Sequence, residues 1–298
     1  MLNALILRDL LTPKDMDRKF SLLGWLSWLK RVKRPVMALL SGRKGLIVGI
    51  ANARSLAYAI ARAAHSEGAQ LALTYQNDRL KPRVAAAAKE FGDALLLPCD
   101  VNVDGQVEAL ADGLKSLGHL DFVVHAVASA KREELGGRFV ETSRDGFGMA
   151  LETSCYSLVA LAQVLEPLMA ASPNGASILT LSYFGAQKVV PNYNIMGVAK
   201  AALEASVRYL ATDLGPQGIR VNALSPGPIK TLSAAGIKGF RTMLGASGDL
   251  SPLGGGVEAQ DVANAALFAL SDLSSAVTGE ILHVDKGMHI LAATPKES

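Results

Sequence analysis

Tyr183, Tyr193 and Lys200 are the residues of this chain whose types and spacing point most directly to chemistry; they lie in the run SYFGAQKVVPNYNIMGVAK, Ser182 to Lys200. If a helix begins at Tyr193, Lys200 follows seven residues later. That is a rotation of about 700°, which returns it to within about 20° of the same face. Both side chains can then line one cleft. A tyrosine hydroxyl with an ordinary pKa near ~10 donates a hydrogen bond at neutral pH, and a neighbouring ammonium favours its phenolate when it must give up a proton. Tyr183 falls at the C-terminal end of a predicted strand, the edge at which open α/β sheets bind ligands. A lone tyrosine is ordinarily a packing residue. Two of them beside an aligned lysine point to a reaction site.

The elements that must position these residues alternate between short apolar runs and helical stretches, the pattern of βαβ units in a parallel sheet. Predicted strands are GLIVGI (Gly45 to Ile50), AQLALTY (Ala69 to Tyr75), Ala94 to Leu97, LDFVVHAV (Leu120 to Val127), ASILTLS (Ala176 to Ser182), IRVNAL (Ile219 to Leu224) and EILHVD (Glu280 to Asp285). Helices are expected from about Ser55 to Glu67, in one long run through Tyr156 and Leu165, from about Asn194 to Leu214, and from Val257 to Ser271. The fold class this implies is α/β, a Rossmann-type doubly wound parallel sheet of about seven strands with helices on both faces. Between Pro226 and Gly256 the apolar period fades and glycine accumulates, as in a lid or binding loop.

The first strand opens into Gly49-Ile50-Ala51-Asn52-Ala53-Arg54-Ser55, where a dinucleotide-binding protein turns its backbone against phosphate at a helix N-terminus. Only Gly49 matches the familiar G-x-G-x-x-G, so this turn alone also reads as an ordinary strand-to-helix connection. Ser55 serves either as helix cap or as phosphate ligand. Gln76 ends the second strand where an acidic residue usually grips the adenosine ribose; it favours NADH, although Arg79 and Lys81 nearby leave NADPH open. Asp100 and Val101 end the third strand, with Asp100 either facing an adenine amine or capping the helix that starts near Val103.

Half of the 298 residues are hydrophobic and 19% are charged, enough for a two-faced core. The net charge of +3 is concentrated at the start: residues 1–36 carry eight Lys or Arg against three Asp, so the rest of the chain is at −2. A nucleic-acid-binding body would carry a basic stripe across its fold, so that class is set aside. Cys99 and Cys155 have no metal-type spacing, and so sparse a pair suits a reducing cytoplasm. No run approaches the ~20 apolar residues of a membrane span. SLLGWLSWL (Ser21 to Leu29), followed by Lys30, Arg31, Lys33 and Arg34, is either an untethered tail or a basic, Trp-bearing helix for a membrane surface.

Taken together, these segments resemble the NADH-dependent enoyl-acyl-carrier-protein reductases, a branch of the short-chain dehydrogenase/reductase superfamily that completes each round of bacterial fatty-acid elongation. The resemblance runs from about Met37 to Ala292 and is carried by Tyr-x6-Lys in place of the superfamily's usual Tyr-x3-Lys, and by LTYQND (Leu73 to Asp78), CDV (Cys99 to Val101), SPGPIKTLSAAGIKGF (Ser225 to Phe240), SDLSS (Ser271 to Ser275) and TGEILHVD (Thr278 to Asp285). It implies that Tyr193 stabilises an enolate, that Lys200 holds the nicotinamide ribose, and that Tyr183 shapes the acyl pocket. Gly49, Ile50, Ser55, Leu56, Gln76, Asp100, Val101, Val127, Ile229, Lys230, Thr231, Leu232 and Ser233 match cofactor-contacting positions, and Ala130 a substrate-contacting one. The loop from Ile229 to about Leu250 would order over cofactor and acyl chain, and Lys238 and Arg241 match positions that receive the acidic carrier protein. A cytoplasmic homotetramer is implied as well, with membrane-surface contact if residues 1–36 are present.

Two other readings are weighed against this one. A short-chain dehydrogenase acting on ketones or alcohols would place Lys four residues after Tyr193, where Gly197 stands; a non-catalytic nucleotide-binding protein would have lost Tyr193 or Lys200. The chain departs from the resembling family at Ala128 and Lys286, where Gly or a small residue is usual, and at Leu253-Gly254-Gly255-Gly256, which replaces a more basic stretch. A methyl at Ala128 is expected to weaken flat aromatic inhibitors that stack on the nicotinamide. Met37-Ala38-Leu39-Leu40-Ser41-Gly42-Arg43-Lys44 resembles the usual family start, so residues 1–36 are expected to be an extension or a misassigned start, and residues 37–298 one domain.

Overall fold

The computed structural model describes residues 38–92, 94–231, 244, 248 and 250–292. The expectations for residues 1–36, Met37, Leu232, Ser233, Lys238 and Arg241 lie outside the described residues. The predicted strands are present, with ends moved by one or two residues: β1 (Lys44–Val48), β2 (Gln70–Tyr75), β3 (Leu95–Pro98), β4 (Phe122–His125), β5 (Ala176–Leu181), β6 (Ile219–Pro226) and β7 (Ile281–Val284). They form one sheet in the order β3-β2-β1-β4-β5-β6-β7, and every neighbouring pair is parallel. The order reverses between β1 and β4, which opens a crevice at the carboxyl ends of those strands.

Both faces are covered, which is why the central strands read as continuous apolar runs instead of alternating ones. On one face α1 (Leu56–Ser66) and α2 (Lys81–Glu90) pack on Ile47, Leu71, Leu73 and Phe122. On the other, α3 (Asp104–Leu114) sits over Leu46 and Val123.

The long run expected through Tyr156 and Leu165 is not one uniform helix. It comprises α4 (Arg144–Leu151), a π-helical turn (Glu152–Tyr156) and α5 (Ser157–Ala170). The 27 residues Arg144–Ala170 do reach the length and apolarity of a membrane span, contrary to the sequence count. Their apolar side is spent inside the fold, where Leu158, Leu161 and Leu165 pack against the sheet. The remaining helices are α6 (Asn194–Leu214), beside α5 on the same face, and α7 (Ala259–Leu270), which joins α1 on the opposite one. A reciprocal capping box between Glu258 and Asp261 sets the start of α7.

Candidate active site

A cleft of about 400 Å³ opens at the β1/β4 crevice. Its walls bring together ten of the residues singled out in the sequence: Gly49, Ile50, Ser55, Leu56, Gln76, Asp100, Val101, Val127, Lys200 and Thr231. Gly49 is required there twice over. Its φ is +111°, and a Cβ would stand 2.3 Å from the Ala126 carbonyl oxygen. The chain can therefore turn tightly beneath the N-terminus of α1, whose first residues Leu56 and Ala57 line the cleft. Ser55 is the cap of α1, accepting from Tyr58 N–H at 3.4 Å, while its own hydroxyl donates to Asn52 O at 2.7 Å.

Of the two readings of Asp100, helix capping is ruled out. The residue at the cap of α3 is Val103, with no side-chain bond. The Asp100 carboxylate instead accepts from Gln76 Nε2 at 3.0 Å, and from Asn102 N–H at 3.1 Å and Nδ2 at 3.0 Å. Gln76 and Asp100 thus form one polar wall across the ends of β2 and β3. Lys81 Nζ lies 5.3 Å from the centre of the Tyr75 ring, a cation–π position, and neither it nor Arg79 lines the cleft. A glycine turn, a helix N-terminus and a polar wall in this order fit a dinucleotide.

Lys200 closes the other end. It is 5% exposed and donates to the Leu181 carbonyl at 2.6 Å. Burial pushes its ammonium down to about 8, against the opposing pull of Cys155 and Glu204. Tyr193 is the N-cap residue, so α6 starts at Asn194, one residue later than the rotation argument assumed. The chain on either side is held in the left-handed region, Asn192 at φ 62° and Asn194 at φ 28°, and the Asn194 amide donates to Gly136 O and Gly137 O. Strain of this kind concentrates at functional sites. Tyr183 meets Tyr193 edge-on, with ring centroids 4.8 Å apart. Burial raises both hydroxyls, Tyr183 to about 12 and Tyr193 further, with Tyr183 adding to the shift of Tyr193. Both are neutral hydrogen-bond donors at physiological pH.

Not every expected residue joins the cleft wall. Tyr193 borders a second hollow of about 370 Å³ with Phe139, Val190 and Val198. Ile229 and Lys230 line a third with Leu244 and Val257, and Ala130 packs with Ala150, Ile195 and Ala199. Ala128 lies on the cleft wall. Sequence reasoning missed Thr153, Asn102 and Ser182, which also line the cleft. Thr153 arrives there on the π turn and donates to Asn102 Oδ1 at 2.7 Å, a placement without any sequence period. Ser182 could have been found by the same strand-end rule that flagged Tyr183.

One contact separates the two reductase readings. Four residues after Tyr193, where a ketone or alcohol dehydrogenase would carry its lysine, a Cβ on Gly197 would lie 2.7 Å from the Gly185 carbonyl oxygen. No lysine can be accommodated there. Among the described residues, the cation that lines the cleft is Lys200, one helical turn further on.

The comparisons with known proteins agree. The family model described as Enoyl-(Acyl carrier protein) reductase matches residues 49–289. The chain belongs to the enoyl-acyl-carrier-protein reductase family. An enoyl-[acyl-carrier-protein] reductase [NADH] of Rhizobium meliloti is 51% identical over 84% of this chain and 92% of its own length. That of Aquifex aeolicus is 48% identical over 88% and 96%. A solved enoyl-acyl-carrier-protein reductase of Anaplasma phagocytophilum, in complex with NAD, is 50% identical with a TM-score of 0.82, covering 86% of this chain and 97% of that one. The seven-stranded sheet of this enoyl reductase is the Rossmann-type fold expected from the sequence.

Proposed function

We propose that this enzyme reduces the trans-2 double bond of enoyl thioesters carried on acyl carrier protein, with NADH as reductant, in type II fatty-acid synthesis. The observation that carries the reading is the spacing of Tyr193 and Lys200 around a Gly197 that has no room for a side chain. NADH, when bound, supplies the hydride. Gly49, Ser55 and the N-terminus of α1 receive its phosphates, Gln76 and Asp100 its adenosine end, and Lys200 its nicotinamide ribose. Ile50, Leu56, Val101, Val127 and Thr231 complete the cofactor contacts. The neutral Gln76, and the Lys81 ammonium lying over Tyr75, favour NADH over NADPH.

Tyr193 donates a hydrogen bond to the thioester carbonyl and stabilises the enolate that forms as Cβ is reduced. Its raised pKa suits this role, because the proton stays on the phenol. Tyr183 orients Tyr193 through the edge contact and shapes the acyl pocket with Ala130. Lys200 is a positioning cation.

Residues 37–298 form the reductase domain, and Lys238 and Arg241 receive the acidic carrier. The enzyme works in the cytoplasm. A homotetramer is favoured by apolar side chains left exposed at Val198 and Tyr209 on α6 and at Leu282 on the edge strand β7. The deciding assay is NADH oxidation with trans-2-enoyl thioesters of varied chain length, on coenzyme A and on carrier protein. Turnover is expected on both; no turnover on any enoyl thioester, alongside reduction of a ketone, would overturn the reading.

A further inference from the structure

Among the described residues three non-glycines have positive φ, and two of them, Asn192 and Asn194, flank Tyr193. Asparagine takes this conformation more readily than most side chains, yet Asn194 at 28° falls short of the relaxed left-handed well near ~57°. Such a conformation persists only where the surroundings over-determine it. What holds it here is a bend from a distant segment. Asn194 Nδ2 donates to Gly136 O at 3.2 Å and to Gly137 O at 3.3 Å, and a Cβ added to Gly136 would stand 3.7 Å from Asn192 Oδ1. Both asparagines face the Gly136–Gly137 bend.

That bend is itself tied down through the segment leading to it. The segment starts at the cleft wall, where Ser154 Oγ accepts from Ser129 N–H at 3.0 Å and donates to Ser129 O at 3.1 Å. Ala130 packs with Ile195 and Ala199 of α6, and Lys131 pairs with Asp145 of α4. Glu134 Oε1 accepts from Ser143 Oγ at 2.6 Å, and its carboxylate lies so close over Gly146 that a Cβ there would stand 1.9 Å from Oε2. Gly146 belongs to the first turn of α4, a place that favours a carboxylate. From Ser129 to Gly137 the chain is therefore a braced strut between the cofactor cleft and the start of α6.

Tyr193 sits where the strut meets the helix. Its ring lies against Gly185, where a Cβ would come within 2.5 Å of Cδ1, and Tyr183 meets it edge-on. These contacts limit the ring from two sides, but neither ties the Tyr193 backbone to the segment that begins on the cleft wall. Asn194 does. We propose that Asn194 is a positioning residue for enoyl reduction: by clamping the start of α6 to the Gly136–Gly137 bend, it sets the distance between the Tyr193 hydroxyl and the bound thioester carbonyl. This rests on the enoyl-reductase reading. Asn194 borders the hollow beside Tyr193 and does not line the cofactor cleft, so its effect is exerted through Tyr193. A displacement of about 1 Å at a reacting group costs on the order of 100-fold in rate.

The test is a double-mutant cycle on the reduction of a trans-2-enoyl coenzyme A thioester by NADH. Asn194→Gly keeps the positive φ and deletes the amide. We expect kcat to fall by about 10- to 100-fold, with KM for the thioester and Kd for NADH within about twofold of wild type. In a Tyr193→Phe background the same change should cost less than about twofold, because the hydroxyl it positions is gone. Asn194→Asp gives a second readout. Its carboxylate opposes the two carbonyls and only its protonated form can donate, so its kcat relative to wild type should rise as pH is lowered toward ~5.

Wild-type kcat in Asn194→Gly, an equal loss in both backgrounds, or a fall in NADH affinity parallel to kcat would overturn the proposal. If Asn194→Gly does not fold, the pH response of Asn194→Asp decides, and a ratio that stays flat with pH counts against the clamp. Wild type inactive on every enoyl thioester would instead remove the functional reading beneath it.

Discussion

The two ends of the sheet are both rich in polar groups, yet they are built on opposite terms. At the amino ends of the strands Asp121 accepts from Lys44 N–H at 2.7 Å, from Ser172 Oγ at 2.7 Å and from Arg43 Nη1 at 3.5 Å. Arg43 goes on to Gly175 O and Asp272, and Arg220 to Ser274 Oγ and three backbone carbonyls. This network ties together the starts of β1, β4, β5 and β6 and lines none of the three hollows. At the carboxyl ends a lysine is buried against a carbonyl, the pKa values of two tyrosine hydroxyls are raised, and two polar atoms have no partner among the described residues. The lesson is that burial of charge alone does not mark a site. Closed networks hold strands together, while unclosed ones beside a cleft are available to ligand and substrate.

Breaking the closed end should produce the largest effect. Asp121→Ala leaves the Lys44 backbone N–H without its acceptor and takes from Arg43 one of its two carboxylates, so a loss of about 2–4 kcal/mol is expected in denaturant melts. Activity per folded molecule should stay near wild type, and a parallel fall in NADH affinity would erase the distinction between the two ends. Tyr193→Phe should do the reverse, lowering kcat by roughly 100- to 1000-fold, as removal of one oxyanion donor does. Thermal melts of that variant should stay close to wild type.

Lys200→Met sharpens the comparison through pH. Lys200 titrates near 8 in the folded enzyme, below its ordinary value. Below about pH 8 folding bears the full desolvation of the ammonium; between there and ~10.4 the unfolded chain holds a proton that the folded one has lost, so stability rises with pH. The variant should therefore be more stable than wild type by roughly 1–3 kcal/mol at neutral pH, with the gap closing as pH rises through that window, while NADH binding weakens. The smallest effect is expected at Lys286, a non-glycine residue at φ 57°. Lys286→Gly should add about 0.5–1 kcal/mol and a few degrees of Tm, with no change in kcat.

The sequence by itself determined the order of elements, because apolar runs of strand length alternate with helical periods from Gly45 to Asp285, and a doubly wound sheet is what such alternation builds. It also determined the Tyr193-to-Lys200 spacing and the strand-end positions of Gly49, Gln76 and Asp100, since helical rotation and the βαβ pattern are local rules. Only the tertiary structure decided which partner Asp100 takes, because Gln76, from which its carboxylate accepts, lies 24 residues away at the end of the neighbouring strand. The arrival of Thr153 in the cleft depends on a π turn, and the closure of Gly197 against Gly185 on how α6 packs behind β5. The clamp of Asn194 on the Gly136–Gly137 bend was equally beyond local reading. Its members lie 58 and 57 residues apart in sequence and become neighbours only when α6 packs beside the segment that follows β4. The period of a strand or helix says which face a residue takes, and the assembled fold says whom it meets there.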